Sequence, residues 1–245
     1  MTGGELAIIL VAVVVGSTIK AVTGMGLPLI VIPVASMFVD LEDAVVVIAF
    51  PNVLANGVLA FEARRAWPQT RDLPALALFG ILGAIVGTIL FVNVPEEPLV
   101  FALIAAIAIY VVNFFANPDL HTTPKRSRRA SPLVGTVAGV FQGAIGISGP
   151  IVGAWIHSYR LARSAHVLSV TVLFFITGLT QLVLLVANGE LAGRVSATLL
   201  ACIPVLASIP LGAVLRSRIS ARGFDLAIIA ILTVSAVSLL VQTLA

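Results

Sequence analysis

Charge is scarce in this chain. Asp, Glu, Lys and Arg make up 10% of its 245 residues, against about 25% in an ordinary soluble domain. Hydrophobic residues reach 60%, and the mean hydropathy is +1.15. A soluble globule of 25.4 kDa has no room to hide that much apolar surface, which argues against a soluble enzyme, a disordered chain and a nucleic-acid binder. Cysteine occurs once, at Cys202, so an internal disulfide is excluded and no redox or metal framework is legible. No cofactor is expected. Lys and Arg are missing before the first apolar run, where Glu5 stands instead. The start therefore reads as part of the mature fold rather than as a cleavable signal. What remains is a polytopic, all-α membrane protein.

A helix needs about 20 mostly apolar residues to cross a bilayer. Six stretches qualify: residues 44–61, 73–94, 99–115, 165–187, 195–215 and 226–244. Residues 6–39 and 132–159 are apolar too, but small residues and proline interrupt them. The first interruption reads Thr23-Gly24-Met25-Gly26-Leu27-Pro28; the second reads Gly143-Ala144-Ile145-Gly146-Ile147-Ser148-Gly149-Pro150. The piece after the first break, residues 27–39, has a reach of roughly 20 Å as helix, short of the roughly 30 Å hydrocarbon core.

The basic residues orient the chain. Arg64, Arg65 and Arg71 share one loop. Lys125, Arg126, Arg128 and Arg129 lie in a central linker. Arg160 and Arg163 follow the second break, and Arg216, Arg218 and Arg222 share the last loop. The positive-inside rule places all of them in the cytoplasm. Asp40, Glu42, Asp43, Glu96, Glu97 and Glu190 then fall outside, and Arg194 alone falls on the wrong side. The assignment requires each broken region to re-enter and return or to cross twice, and it leaves both termini outside. Membrane orientation thus accounts for the pI of 9.6 without a nucleic-acid partner.

Each half then contains a broken hairpin and three crossings, an odd total. Homologous halves of that kind sit in opposite orientations, an arrangement common in transporters. A shift of 122 positions brings Lys20 onto Gln142, Gly24 onto Gly146, Gly26 onto Ser148 and Pro28 onto Pro150. The expected fold is two inverted repeats, each a broken or re-entrant helical hairpin plus three transmembrane helices. Residues 1–116 form the first half, 117–131 a basic cytoplasmic linker, and 132–245 the second half.

Lys20 is the one charged residue well inside an apolar run. A charge at that depth costs roughly 3 kcal/mol on insertion scales, so a residue facing a cavity is favoured over one snorkelling to the interface. The breaks supply a second signal, because interrupted helices present backbone N–H groups that favour an anion. Gly24 and Gly26 let a ligand approach the main chain, and Pro28 and Pro150 sit in the first turn of the next helix, where a missing N–H costs least. Candidate binding residues are therefore Lys20, Thr23, Gly24, Met25, Gly26 and Leu27 at one break, with Gln142, Gly146, Ile147, Ser148 and Gly149 at the other. Asn52 and Asn56 are four residues apart, hence on one helical face, and so are Thr177 and Gln181. These pairs would orient the ligand. Gly83, Gly87 and Gly139 read instead as residues that let helices pack closely. No carboxylate lies at membrane depth, so a proton or sodium site of that kind is unsupported.

The string Gly146-Ile147-Ser148-Gly149 also matches the GxSG of rhomboid intramembrane proteases. That resemblance implies Ser148 as nucleophile and His157 or His166 as its base, although the repeat mate of Ser148, Gly26, has no nucleophile. At both breaks together the chain resembles the sulfite exporter (TauE/SafE) family of anion permeases. The resemblance rests on Gly16…Thr23-Gly24-Met25-Gly26-Leu27-Pro28…Pro33, its echo Gly139…Gly146-Ile147-Ser148-Gly149-Pro150, the Asn52/Asn56 helix and the basic centre. Leu27 and Ser148 stand where that family usually has a run of glycines. The resemblance implies a non-enzymatic transporter in the cell inner membrane, exporting a small anion such as sulfite or an organosulfonate. A passive anion channel is the alternative. The expected partners are the anion and the lipid bilayer, and a homo-oligomer is compatible with both.

Overall fold

The computed structural model describes residues 2–23, 26–116, 121–215 and 221–244, with the side chains of 21–23 and 209–227 outside the description. Gly24, Met25, Arg216 and Arg218 thus lie outside the described residues, as do the side chains of Thr23 and Arg222. The described chain is helical throughout: α1 (Gly3–Thr23), α2 (Leu27–Ala35), α3 (Leu41–Ala63), α4 (Leu73–Asn93), α5 (Glu96–Ala116), α6 (Pro124–Ile145), α7 (Gly149–His157), α8 (Arg163–Ala187), α9 (Val195–Leu215) and α10 (Ala221–Leu244). Each of the six uninterrupted stretches is one helix. Five of the ten helices meet the length and hydropathy of a membrane crossing over their described residues.

Both interruptions follow from local chemistry. Gly26 has a φ of 111° and precedes α2, and Gly146 has a φ of 70° and ends α6. L side chains rarely adopt such angles, so glycine is the residue that turns the chain there. Pro28 and Pro150 then occupy the first turns of α2 and α7. Each of those helices has 9 residues, about 14 Å of rise, which is too short to cross. α2 runs back along α1: a Cβ added at Gly16 would lie 2.6 Å from Val31 Cγ2 and 3.1 Å from the Leu27 carbonyl oxygen. Gly26 and Gly146 line one cavity together with Asn52, halfway along α3, and Phe174, halfway along α8. Each broken region is therefore a long helix followed, after a glycine turn, by a short helix that does not span the bilayer on its own.

The segment between the two halves is partly helical. The basic segment read as a linker becomes helical at Pro124, so Lys125, Arg126, Arg128 and Arg129 form the first turns of α6. Proline at a helix start needs no N–H donor and carries a pre-set φ, and the extended Thr123 before it delivers the chain to that start.

The two ends of the bundle differ in charge. At the basic end, Arg71 Nη1 donates to the Thr122 carbonyl (3.0 Å), its guanidinium lies 5.0 Å from the centre of the Tyr159 ring, and Ser158 Oγ donates to Thr122 Oγ1 (2.8 Å). Burial first, then the nearby Asp72 carboxylate, raises the Tyr159 phenol above its ordinary pKa, against the opposing Ser131 hydrogen bond. At the acidic end, the Leu41 N–H donates to Glu96 Oε1 (2.6 Å). Arg194, the one base on that side, pairs with Glu42 (2.8 Å) and Asp43 (2.5 Å) and lies 3.7 Å from Glu190. Burial disfavours its charge, but Asp43 and Glu42 outweigh that effect and hold its pKa above the usual guanidinium value. The exception to the charge pattern is thus neutralised by three carboxylates.

Helix contacts repeat under exchange of the halves. α1 lies on α9 as α6 lies on α4. α3 meets α9 as α8 meets α4, α2 meets α10 as α7 meets α5, and α3 and α8 pack on each other. The tightest pair is α4 with α6. A Cβ at Gly83, Gly87, Gly139 or Gly143 would collide with the main chain of the facing helix, so these glycines serve close packing, as expected of small residues in membranes.

Candidate anion chamber

The two hairpin tips face one cavity. It is lined by Lys20, Gly26, Pro28, Leu29, Asn52, Gln142, Gly146, Ile147, Ser148, Gly149 and Phe174. Eight of these are sequence-predicted residues drawn from four helices and both breaks. Leu27 is fully buried beside it without lining it. Asn56 lies directly behind Lys20. Thr177 lines a small neighbouring cavity that shares Ser148, and its hydroxyl donates to the Leu173 carbonyl (2.7 Å). Gln181 reaches the chamber only through Gln142. Thr23 ends α1; its side chain and residues Gly24 and Met25 lie outside the described residues.

Sequence reasoning missed Pro28 and Leu29 as lining residues, and above all Phe174. An aromatic residue in an apolar helix carries no signal of its own. Only its position three residues before Thr177, on the same helical face, could have pointed to it.

Lys20 defines the electrostatics. Its side chain is 5% exposed. Nζ donates to Asn56 Oδ1 at 2.8 Å and to Asn52 Oδ1 at 3.5 Å. Asn56 Nδ2 in turn donates to the Asn52 carbonyl and to Asn52 Oδ1, both at 2.9 Å, which aims both amide oxygens at the ammonium. An ammonium has three donors, and two of them have partners among the described residues. Among the described residues no carboxylate pairs with Lys20, and the ion pairs formed there lie at the acidic end. Amide dipoles solvate a charge but do not neutralise it.

The opposite wall is a neutral network. Ser148 Oγ donates to Gln142 Oε1 (2.9 Å). Gln142 Nε2 donates to Gln181 Oε1 (3.1 Å) and the Gly146 carbonyl (3.2 Å), and Gln181 Nε2 donates to the Gly143 carbonyl (3.2 Å). Gln142 and Gln181 therefore brace the second tip, holding the N-terminus of α7 toward the chamber. The protease arrangement is not assembled, because the Ser148 hydroxyl points to Gln142 and not to a histidine. His157 is about 13 Å further along the helix axis and pairs ring to ring with His166 at 6.4 Å.

The chamber volume is about 20 Å³, room for roughly one water. An oxyanion of several heavy atoms enters only when the walls separate. Among the described residues there is no cluster of His, Cys, Asp and Glu able to hold a metal.

Ten helices among the described residues, five of them long and apolar enough to cross a bilayer, with Lys20 buried beside two glycine breaks, define the class: an all-α polytopic membrane protein. The profile of the sulfite exporter TauE/SafE family matches residues 8–239. The chain belongs to the TauE/SafE sulfite exporter family, a family of membrane transporters of sulfite- and sulfonate-type anions. No curated protein and no solved structure matches it.

Proposed function

We propose that this chain exports a small oxyanion, sulfite or an organosulfonate, across the cell inner membrane by binding it between the two hairpin tips. The observation that carries the proposal is Lys20, a buried cation whose only described partners are neutral amides. An isolated charge at that depth is costly, and a bound anion removes the cost. The ammonium and the first N–H groups of α2 and α7 supply the hydrogen bonds. Asn52 and Asn56 hold the ammonium in place, Gln142 and Gln181 position the second tip, and Gly26, Gly146 and Gly149 keep side chains out of the path.

The exchange symmetry of helix contacts supports two inverted repeats. Hairpin-plus-three-crossing halves, with most bases at one end and most acids at the other, support an orientation with the basic end in the cytoplasm and both termini outside. The closed chamber favours a carrier over a passive channel. In an inside-negative cell an anion moves outward downhill by about 2.3 kcal/mol per charge per 100 mV. Export then proceeds without a coupling carboxylate.

The test is sulfite efflux from proteoliposomes containing wild-type protein or Lys20→Gln. Saturable, counterflow-competent efflux in wild type, reduced at least about 100-fold in the variant, is expected. Equal efflux from both, at equal amounts of folded protein, would remove Lys20 from the site.

A further inference from the structure

The chamber's charge balance bears on which anions it accepts. Among the described residues, Lys20 is the one ionisable side chain lining it. Helix ends could add to that charge, since each N-terminus carries about half a positive charge. The N-termini of α2 and α7 do point to the tips. Each broken region, however, also delivers the C-terminus of its incoming helix to the same tip. α1 ends at Thr23 just before α2 begins, and α6 ends at Ile145 just before α7 begins. Each C-terminus carries about half a negative charge, so the helix-end charges of each tip cancel to first order. The local N–H groups still aim hydrogen bonds, but among the described residues the net charge left is that of Lys20. Asn52, Asn56, Gln142, Ser148 and Gln181 are neutral.

From this we infer that the chamber selects monovalent anions: sulfite in its singly protonated form and monosulfonates, and not dianions such as sulfate or disulfonates. The inference rests on the chamber being the anion site. A monoanion against Lys20 makes the occupied chamber neutral. A dianion leaves one unbalanced charge among apolar walls such as Leu29, Ile147 and Phe174, the situation that lysine itself creates when the chamber is empty. Each transported anion then carries one negative charge across the membrane.

The test uses the full chain in proteoliposomes at fixed pH, with methanesulfonate, propane-1-sulfonate and ethane-1,2-disulfonate as labelled probes. Propane-1-sulfonate controls for the size of the disulfonate. Both monosulfonates should enter saturably, with kcat/KM for the disulfonate lower by about 100-fold. Imposed potentials should give a flux that corresponds to one charge per monosulfonate. A disulfonate moved within about threefold of propane-1-sulfonate overturns the charge rule and leaves anion transport standing. Failure of folded wild-type protein to move sulfite or any of the three probes overturns anion transport, and the charge rule falls with it.

Discussion

Lys20 Nζ lies 2.8 Å from Asn56 Oδ1, joining the last turn of α1 to α3. The pair is a charge on a neutral amide, buried, with no carboxylate nearby among the described residues. Such an arrangement is poor for stability.

Replacing that charge should therefore trade function for stability. Lys20→Met is expected to raise the unfolding temperature in detergent by several degrees, on the order of 1 kcal/mol or more, while abolishing anion transport. Thermal unfolding followed by tryptophan fluorescence, beside a flux assay, checks both. A variant that is less stable than wild type would show that the lysine is a structural anchor.

Asn56→Asp places a carboxylate where the amide now accepts from Lys20. The new ion pair neutralises the chamber from within, so the anion must compete with it. We expect a folded protein whose apparent substrate affinity is weaker by about tenfold or more. Asn56→Gln, uncharged, should fall well short of that loss, and a titration of transport against anion concentration separates the two.

The glycines divide by what surrounds them. A side chain at Gly139 would strike the α4 main chain, whereas a Cβ at Gly149 meets nothing within 4 Å. Gly139→Leu should lose at least about 3 kcal/mol or fail to fold. Gly149→Ala should keep the wild-type unfolding temperature and slow transport by narrowing the chamber. Size-exclusion profiles and thermal melts decide the first point, and flux decides the second.

Arg194 holds three carboxylates together at the acidic end. Removing it in Arg194→Ala should cost about 1–2 kcal/mol. Burial, then the adjacent Glu42, raises the Glu190 pKa in the folded protein, against the opposing Arg194 charge. A carboxyl with a raised folded pKa contributes stability that is present below its unfolded pKa and lost as pH rises through the folded one. The variant, lacking the opposing cation, should therefore recover stability on acidification more steeply than wild type. Melting temperatures from pH 7 down to about pH 4.5 would show it, and parallel curves for the two proteins would contradict it.

Opposite faces should label oppositely. In cells expressing Asn188→Cys, at the acidic end, an impermeant maleimide should react with the intact cell. His121→Cys, at the basic end, should react only after permeabilisation. The reverse pattern would invert the proposed orientation.

Much of this architecture was legible before any coordinates. Hydropathy and loop charge are transfer free energies of single residues or short runs, so they read out locally. They were enough to locate the uninterrupted helices, both breaks and the one lysine that is buried. Glycine and proline at the breaks act through their own φ and missing N–H, which also belongs to the residue itself. Partner choice is a different kind of information. That Lys20 finds Asn56, that Gln142 meets Gln181 and Ser148, and that Arg194 meets Asp43 across 151 positions depends on how separated helices dock. So does the entry of Phe174 into the chamber wall, and the start of α6 within the basic segment. Sequence decided what each segment must bury or expose; the tertiary structure decided which groups meet there, because contact geometry depends on the joint placement of many helices and no local energy contains it.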